Sequence, residues 1–230
     1  LNVQKPTPLT ANVIGVEERL DSLGQALKPL SLPTVAPPSC DNQSAAIVCL
    51  HSHRNPEHEQ RLASYLRESG WQHISVSSNL APVIKILPRA ETTVVDAYLS
   101  PIMTRYLDGV ERELTNGRLR IMTSAGGLIS RDDYRAKDSL LSGPAGGVVG
   151  AAMAGRQAGF DRIIGFDMGG TSTDVCRFDG DFDYQFEHRV GRARVRVRRA
   201  GGQLLRRGPD QALVRRSRRP HVGGLRRARR

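Results

Sequence analysis

The sequence predicts an α/β fold, and three observations carry that expectation. An apolar run at 45–50 is followed by a capped helix and then a second strand at 73–77, an order that favours a parallel pair with a crossover helix. A helix of very small residues begins at 142 and leads to a strand at 162–166 whose partner at 173–178 reads as a hairpin. The 230 residues are 39% apolar, enough for a packed core.

Taken in order, residues 11–21 read as a strand closed by a turn at 22–25, after which Pro29, Pro33, Pro37 and Pro38 mark a linker. Residues 1–44 are therefore an N-terminal strand with a Pro-rich connection. Asn55 as N-cap, Pro56 at the first helical position and the acids Glu57 and Glu59 in the first turn start a helix. It is expected to run to Glu68 and to stop at Gly70. Apolar residues recur at helical spacing over 92–107, with Pro101 as an expected kink. A strand at 119–123 ends in the turn 124–128, and Gly159 closes the small-residue helix. The strand at 162–166 is of the buried type, and 182–187 alternates apolar and polar side chains. Ordered chemistry is expected to end near His188, giving one domain over 45–188.

The formal charge of +11 is unevenly spread. Residues 189–230 hold 16 Arg and one acid, Asp210, for a net of +15, while residues 1–188 carry −4. The tail has no aromatic residue and no apolar period, unlike a folded nucleic-acid module that interleaves aromatics with its basic residues. Nucleic acid is thus not the expected partner. Two readings of 189–230 stay open: a disordered basic arm for phosphate backbones, or GC-rich coding sequence read out of frame. The abrupt change of composition and the absence of RGG or SR repeats favour the second, and both imply disorder.

Cys40, Cys49 and Cys176 are odd in number and form no CxxC pair, so they read as reduced thiols. No stretch of about 18 apolar residues exists, and the first residues have neither Met nor the layout of a signal peptide. The expectation is a cytoplasmic protein without membrane attachment, whose first residues are missing.

The chemistry is concentrated at 165–174, Gly-Phe-Asp-Met-Gly-Gly-Thr-Ser-Thr-Asp. A phosphate chain needs unobstructed backbone N–H donors, and Gly169 and Gly170 supply them. Asp167 suits Mg²⁺, which keeps most of its water and takes one or two carboxylates. Thr171 and Thr173 add hydroxyls, and Asp174 is placed to orient water or metal from the returning strand. No GxxxxGK[ST] occurs, and the glycines lead into a strand, so this is neither a Walker A loop nor a Rossmann turn.

With the upstream string Leu-Ser-Gly-Pro-Ala-Gly-Gly-Val-Val-Gly at 141–150, this motif resembles the A-type subunit of the hydantoinase/oxoprolinase family. That family is a branch of the actin, sugar kinase and Hsp70 ATPase superfamily. The resemblance extends through His-Ser-His-Arg-Asn-Pro-Glu-His-Glu at 51–59, residues 89–101 and Met-Thr-Ser-Ala-Gly-Gly-Leu at 122–128. It implies a partial actin-like (ribonuclease H-like) ATPase fold, with ATP and Mg²⁺ as cofactors. It also implies ATP-dependent opening of 5-oxoproline or a hydantoin, and a B-type hydantoinase subunit or domain as partner. In this resemblance Asp167 and Asp174 are catalytic. Gly169, Gly170, Thr171, Thr173, Ser142 and Gly143 hold the nucleotide, and Asp167 holds the metal.

Departures matter too. The family's first phosphate loop has no counterpart here, and after Val190 the Arg-rich segment stands where further strands are expected. The chain reads as an internal fragment with a shifted frame, inactive alone. Alternatives are a ketone carboxylase subunit of the same family, an Hsp70- or kinase-like ATPase with another acceptor, or a non-catalytic protein binding nucleic acid through its tail.

Other polar residues admit structural readings. His51, His53 and His58 suit metal ligation by type, but no Cys or carboxylate completes a recognised spacing, which favours places at a strand end and a helix start. Asp96 and Tyr98 either approach substrate or form a satisfied buried pair. Ser142 and Gly143 either bind an anion or cap a helix. Arg89 and Glu91 are expected in surface or interdomain ion pairs.

Overall fold

Strand-forming runs and glycine stops place the elements of a mixed α/β architecture, seen in a computed structural model that describes residues 9–10, 12–34, 43–168, 173–190, 193–197, 199–201 and 205–207. Strand β1 (Glu17–Leu20) pairs antiparallel with β2 (Ala26–Ser31). The turn between them is held by Asp21 Oδ1, which accepts from the N–H of Leu23 and of Gln25 at 2.8 Å each, with Gly24 at φ 90°. Pro29, expected in a linker, lies inside β2. The ladder is irregular there, with a register shift between Glu17 and Arg19, so the missing N–H of proline is tolerated.

Strand β3 (Ser44–Ile47), helix α1 (Glu57–Glu68) and strand β4 (His73–Val76) form the expected unit, and β3 and β4 are parallel. Asn55 Oδ1 accepts the Glu57 N–H at 3.0 Å, two residues on, the bond expected of an Asn cap, and the helix begins at Glu57 after Pro56. Gly70, at φ 92°, ends α1: its N–H reaches the Arg67 carbonyl and the Trp71 N–H reaches that of Leu66, both at 3.0 Å. Leu30, Ile47, Cys49, Leu62, Ala63 and Val76 make the core of this half.

After a short α2 (Ser77–Leu80), helix α3 (Ile86–Glu113) runs for 28 residues, well beyond the expected 92–107, and passes through the buried Pro101. It packs on β3 and β4 on one side and on a 3₁₀ turn (Ala136–Ser139) on another. Strands β5 (Ile121–Met122) and β6 (Leu128–Ile129) form a small hairpin. Helix α4 (Ser142–Gln157) ends at Gly159 as α1 ends at Gly70, with Gly159 N–H to Arg156 O at 3.0 Å and Phe160 N–H to Gly155 O at 2.9 Å. It lies on the hairpin of β7 (Arg162–Met168) and β8 (Thr173–Asp179).

Two expectations are corrected here. Strand β7 is not buried on both faces: Ile164, Phe166 and Met168 are 75%, 65% and 72% exposed, because α4 covers only the face that Ile163 and Gly165 share. The chain also does not lose order at His188. After β9 (Asp183–Gln185), strands β10 (His188–Val190) and β11 (Ala193–Val195) pair antiparallel. The stretch 193–197 reads Ala-Arg-Val-Arg-Val, a period-two alternation masked by arginine content, and it buries Ala193, Val195 and Val197. The Arg196 N–H donates to Thr92 Oγ1 at 2.9 Å and the Arg194 N–H to Glu91 Oε2, fastening this strand to α3. Strands β12 (Arg199–Gly201) and β13 (Leu205–Arg207) pair with β9 and β8. Of the disorder expected over 189–230, the part at 191–192, 198, 202–204 and 208–230 lies outside the described residues. Among the described residues no helix is long and apolar enough to cross a membrane.

Candidate functional site

The β7–β8 register sets the site. Ile163 opposes Phe178, Gly165 opposes Cys176, and Asp167 opposes Asp174, and residues opposed in an antiparallel ladder share a face. That face is the one α4 covers. A Cβ on Gly165 would come within 2.5 Å of Cys176 Sγ and 3.3 Å of Ala151 Cβ, and one on Gly155 would overlap the Ile163 side chain. These two glycines permit the close approach that the small-residue helix suggests. Because Gly155 sits over Ile163 and Ala151 over Gly165, α4 runs opposite to β7. Its N-terminus, with Ser142 and Gly143, is therefore directed toward the Asp167–Asp174 end of the hairpin.

Asp167 is exposed and Asp174 half-buried. Two carboxylates directly opposite each other repel, and a cation between them removes that cost, so the residue types fit a hard divalent ion that takes few protein ligands. The Ser142 hydroxyl donates to the Ser139 carbonyl at 3.0 Å rather than capping α4, and Leu141 holds the N-cap position. Pro144 has no N–H and that of Ala145 binds the Leu141 carbonyl at 3.1 Å, so the N–H groups of Ser142 and Gly143 are the first-turn donors at the positive end of the helix dipole. Thr173 opens β8 opposite Met168. Gly169, Gly170 and Thr171 lie outside the described residues.

A second polar cluster sits where the parallel strands β3 and β4 end. Glu59 is fully buried on α1. Its Oε1 accepts from the Cys49 N–H at 2.7 Å and the Ser77 hydroxyl at 2.6 Å, and its Oε2 accepts from the Ser78 N–H at 2.8 Å. Arg89, expected in an ion pair at a surface or domain boundary, is instead fully buried. Its Nη2 donates to the carbonyls of Cys49, at 2.5 Å, and Leu50, at 2.7 Å, and its Nη1 reaches Val83 O at 3.4 Å and His53 Nδ1 at 3.3 Å. Backbone carbonyls, not carboxylates, answer this guanidinium. Burial lowers its pKa, partly offset by Glu59. The same burial, reinforced by Glu18 and Glu59, pushes the Cys49 thiol up to about 12, so it stays protonated.

The remaining candidates resolve as structure. Asp96 is buried and satisfied, Oδ2 by the Ser75 hydroxyl at 2.6 Å and Oδ1 by the Lys137 N–H at 2.9 Å. It does not pair with Tyr98, which is 71% exposed. Glu91 binds the Arg194 N–H. His58 Nδ1 lies 2.7 Å from Glu18 Oε2 and ties β1 to α1. Among the described residues no group of three His, Cys, Asp or Glu side chains is gathered for a metal. The Glu59 and Arg89 networks were missed in the sequence. Their only signal is an acid and a base within apolar helix faces, which also fits exposed positions.

Comparison with known proteins gives the family. The hydantoinase/oxoprolinase family model matches residues 89–206, and the hydantoinase/oxoprolinase N-terminal region matches residues 1–70. The 5-oxoprolinase of Saccharomyces cerevisiae is 42% identical over 154 residues, 63% of this chain and 12% of that protein. Among solved structures, the ATP-dependent caprolactamase from Pseudomonas jessenii matches with a TM-score of 0.67 and 28% identity, covering 83% of this chain and 29% of that one. Nucleotide-free acetone carboxylase, from work on ATP-dependent acetone carboxylation, matches with a TM-score of 0.65 and 25% identity over 84% and 29%. The chain thus spans roughly an eighth of that oxoprolinase's length.

Proposed function

This chain belongs to the hydantoinase/oxoprolinase family, and from that premise we propose that it is part of an ATP-dependent hydrolase that opens a cyclic amide such as 5-oxoproline or a hydantoin. The proposed architecture is one half of an actin-like ATPase, in which the β7–β8 hairpin supplies a phosphate loop. The observation that carries the reading is the pair Asp167 and Asp174, opposed in register at the end of the hairpin toward which the α4 N-terminus is directed.

In this reading Asp167 holds Mg²⁺, directly or through water, with Asp174 orienting a water or the metal from the opposite strand. The amides of Gly169 and Gly170 and the hydroxyls of Thr171 and Thr173 hold phosphate oxygens. The α4 first turn, from Ser142 and Gly143, adds further N–H donors. An amide carbonyl is a poor electrophile. Transfer of the γ-phosphoryl group of ATP to its oxygen, with ADP leaving, would expose the carbon to water, whose addition opens the ring C–N bond and releases phosphate; fixed donors would stabilise the charge on the group in flight. A B-type subunit or domain completes the enzyme. Similarity to acetone carboxylase supports a second reading, ketone carboxylation, which uses the same activation of a carbonyl oxygen.

The test is a titration of the 230-residue chain with Mn²⁺ in the presence of ATP, followed by nuclear magnetic resonance. Paramagnetic broadening is expected at residues 167 and 174 and in the first turn of α4, and Asp167→Asn abolishes it without loss of folding. Equal broadening in Asp167→Asn, or broadening confined to other carboxylates, overturns the reading.

A further inference from the structure

We propose that His53 presents a fixed Nε2–H donor, at the carboxyl ends of β3 and β4, for the carbonyl oxygen of a small amide ligand. The amide class rests on the cyclic-amide reading above; the state of the imidazole does not.

The argument begins with the partner of Nδ1. Arg89 Nη1 lies 3.3 Å from His53 Nδ1, and a guanidinium only donates. The contact is a hydrogen bond solely if Nδ1 accepts, which places the ring proton on Nε2. Arg89 cannot turn away from this task. It is fully buried, and Nη2 is anchored by the carbonyls of Cys49 and Leu50. Those carbonyls belong to the same loop, 48–55, that carries His53, so one side chain fixes both the loop and the tautomer. Glu59 clamps the loop from the other side through the Cys49 N–H.

The environment keeps the ring uncharged. Burial first, then the neighbouring Arg89, Arg54 and His51, lower the His53 pKa. No carboxylate within hydrogen-bonding distance counters them among the described residues, for Glu59 is occupied with Cys49, Ser77 and Ser78. A neutral imidazole whose Nδ1 is taken is a donor through Nε2 alone. For Nε2 no bond is formed among the described residues, and it is not among their buried atoms without a partner. His53 itself is half-buried, with the His51 ring 6.0 Å away. His53 lies on the loop that leaves the carboxyl end of the parallel strand β3, the end of an α/β unit at which ligands commonly bind. A neutral, preorganised imidazole donor polarises a carbonyl without transferring its proton. A cyclic amide offers such an oxygen.

Long-range ¹H–¹⁵N correlation of the ¹⁵N-labelled chain at neutral pH reads the ring directly, with His53→Gln to assign it. The expected pattern is the Nε2–H tautomer; an Nδ1–H ring or an imidazolium overturns the proposal. The chain is then titrated with 2-pyrrolidinone, with 5-oxoproline and with acetate. Both lactams are expected to move the His53 Nε2 resonance saturably and acetate to leave it in place. His53→Ala should weaken lactam binding, followed on neighbouring amides, by about tenfold. No lactam response, or an equal response to acetate, sinks it. Because no nucleotide is present, a lactam response combined with a failed Mn²⁺ and ATP titration would remove the ATP reading and leave this one standing.

Discussion

The two halves of the molecule treat their polar residues in opposite ways. Around β3, α1 and β4 the charged groups are buried and answered from within: Glu59 and Arg89 are fully enclosed and bind mostly main-chain atoms. Around α4, β7 and β8 the carboxylates of Asp167 and Asp174 face each other beside the 169–172 connection of a hairpin whose outer face leaves Ile164, Phe166 and Met168 exposed. The contrast teaches how to separate architecture from chemistry. A buried charge held chiefly by the main chain fixes a shape, even though the Arg89 Nε finds no partner among the described residues, whereas like charges opposed in register suit a ligand of opposite sign. His53 belongs to the first half but departs from its rule, since one ring nitrogen is bound inward and the other is not.

Removal of Glu59 should break this contrast most severely. Glu59→Ala strands the Cys49 and Ser78 N–H groups and the Ser77 hydroxyl, and each unanswered buried donor costs about 1–3 kcal/mol. A loss of about 3 kcal/mol or more is expected in urea unfolding, with Glu59→Gln milder. A loss under about 1 kcal/mol would mean that water reaches these donors and that the half is not sealed. The equivalent change in the other half, Asp167→Asn, should cost no stability because it removes repulsion with Asp174.

A smaller effect is expected where backbone and helix meet. Gly165→Val places a branched side chain against Cys176 Sγ and Ala151 Cβ, and overpacking of this kind costs about 1–3 kcal/mol. Thermal unfolding measures it, and Mn²⁺ broadening at Asp167 should weaken in parallel if α4 positions the site. Retained broadening with lowered stability would separate the helix from the phosphate loop.

The sequence showed best what local pattern dictates. The β3–α1–β4 unit, the stop glycines Gly70 and Gly159, and the β7–β8 hairpin follow from caps, periodicity and turn residues that act within a few positions. It failed where partners are distant. Arg89 reaches back 40 residues to Cys49, and Thr92 forward 104 residues to Arg196, and no local pattern encodes such pairings. At 193–197 the error was different: charge composition hid a two-residue period that buries Val195 and Val197. Of the candidate site, the facing of Asp167 and Asp174 was implied by the hairpin, while the direction of α4 was not.

The pH dependence is a finer probe. The folded His53 pKa lies below its ordinary 6.5, so the unfolded chain binds the proton first as pH falls. The neutral ring's contribution is thus complete above 6.5 and is lost as pH drops toward the folded value. The stability difference between the parent and His53→Gln should therefore change below pH 6.5 and stay flat above it. A parent advantage that shrinks as pH rises above that value would mean a protonated ring, contrary to the Arg89 contact.

The smallest expected effect lies on the outer face of β7. Phe166 is 65% exposed, so Phe166→Ser removes little area from contact and should change stability by no more than about 0.5 kcal/mol. A row of apolar residues on the outer strand of a sheet is nonetheless a template for association. In the described sheet β7 pairs with β8 on one side only. Sedimentation of Ile164→Lys against the parent should show less self-association with no change in the urea midpoint. A fall in stability of several kcal/mol would instead show that this face packs against part of the chain in solution. The two halves would then differ in chemistry but not in how fully they are enclosed.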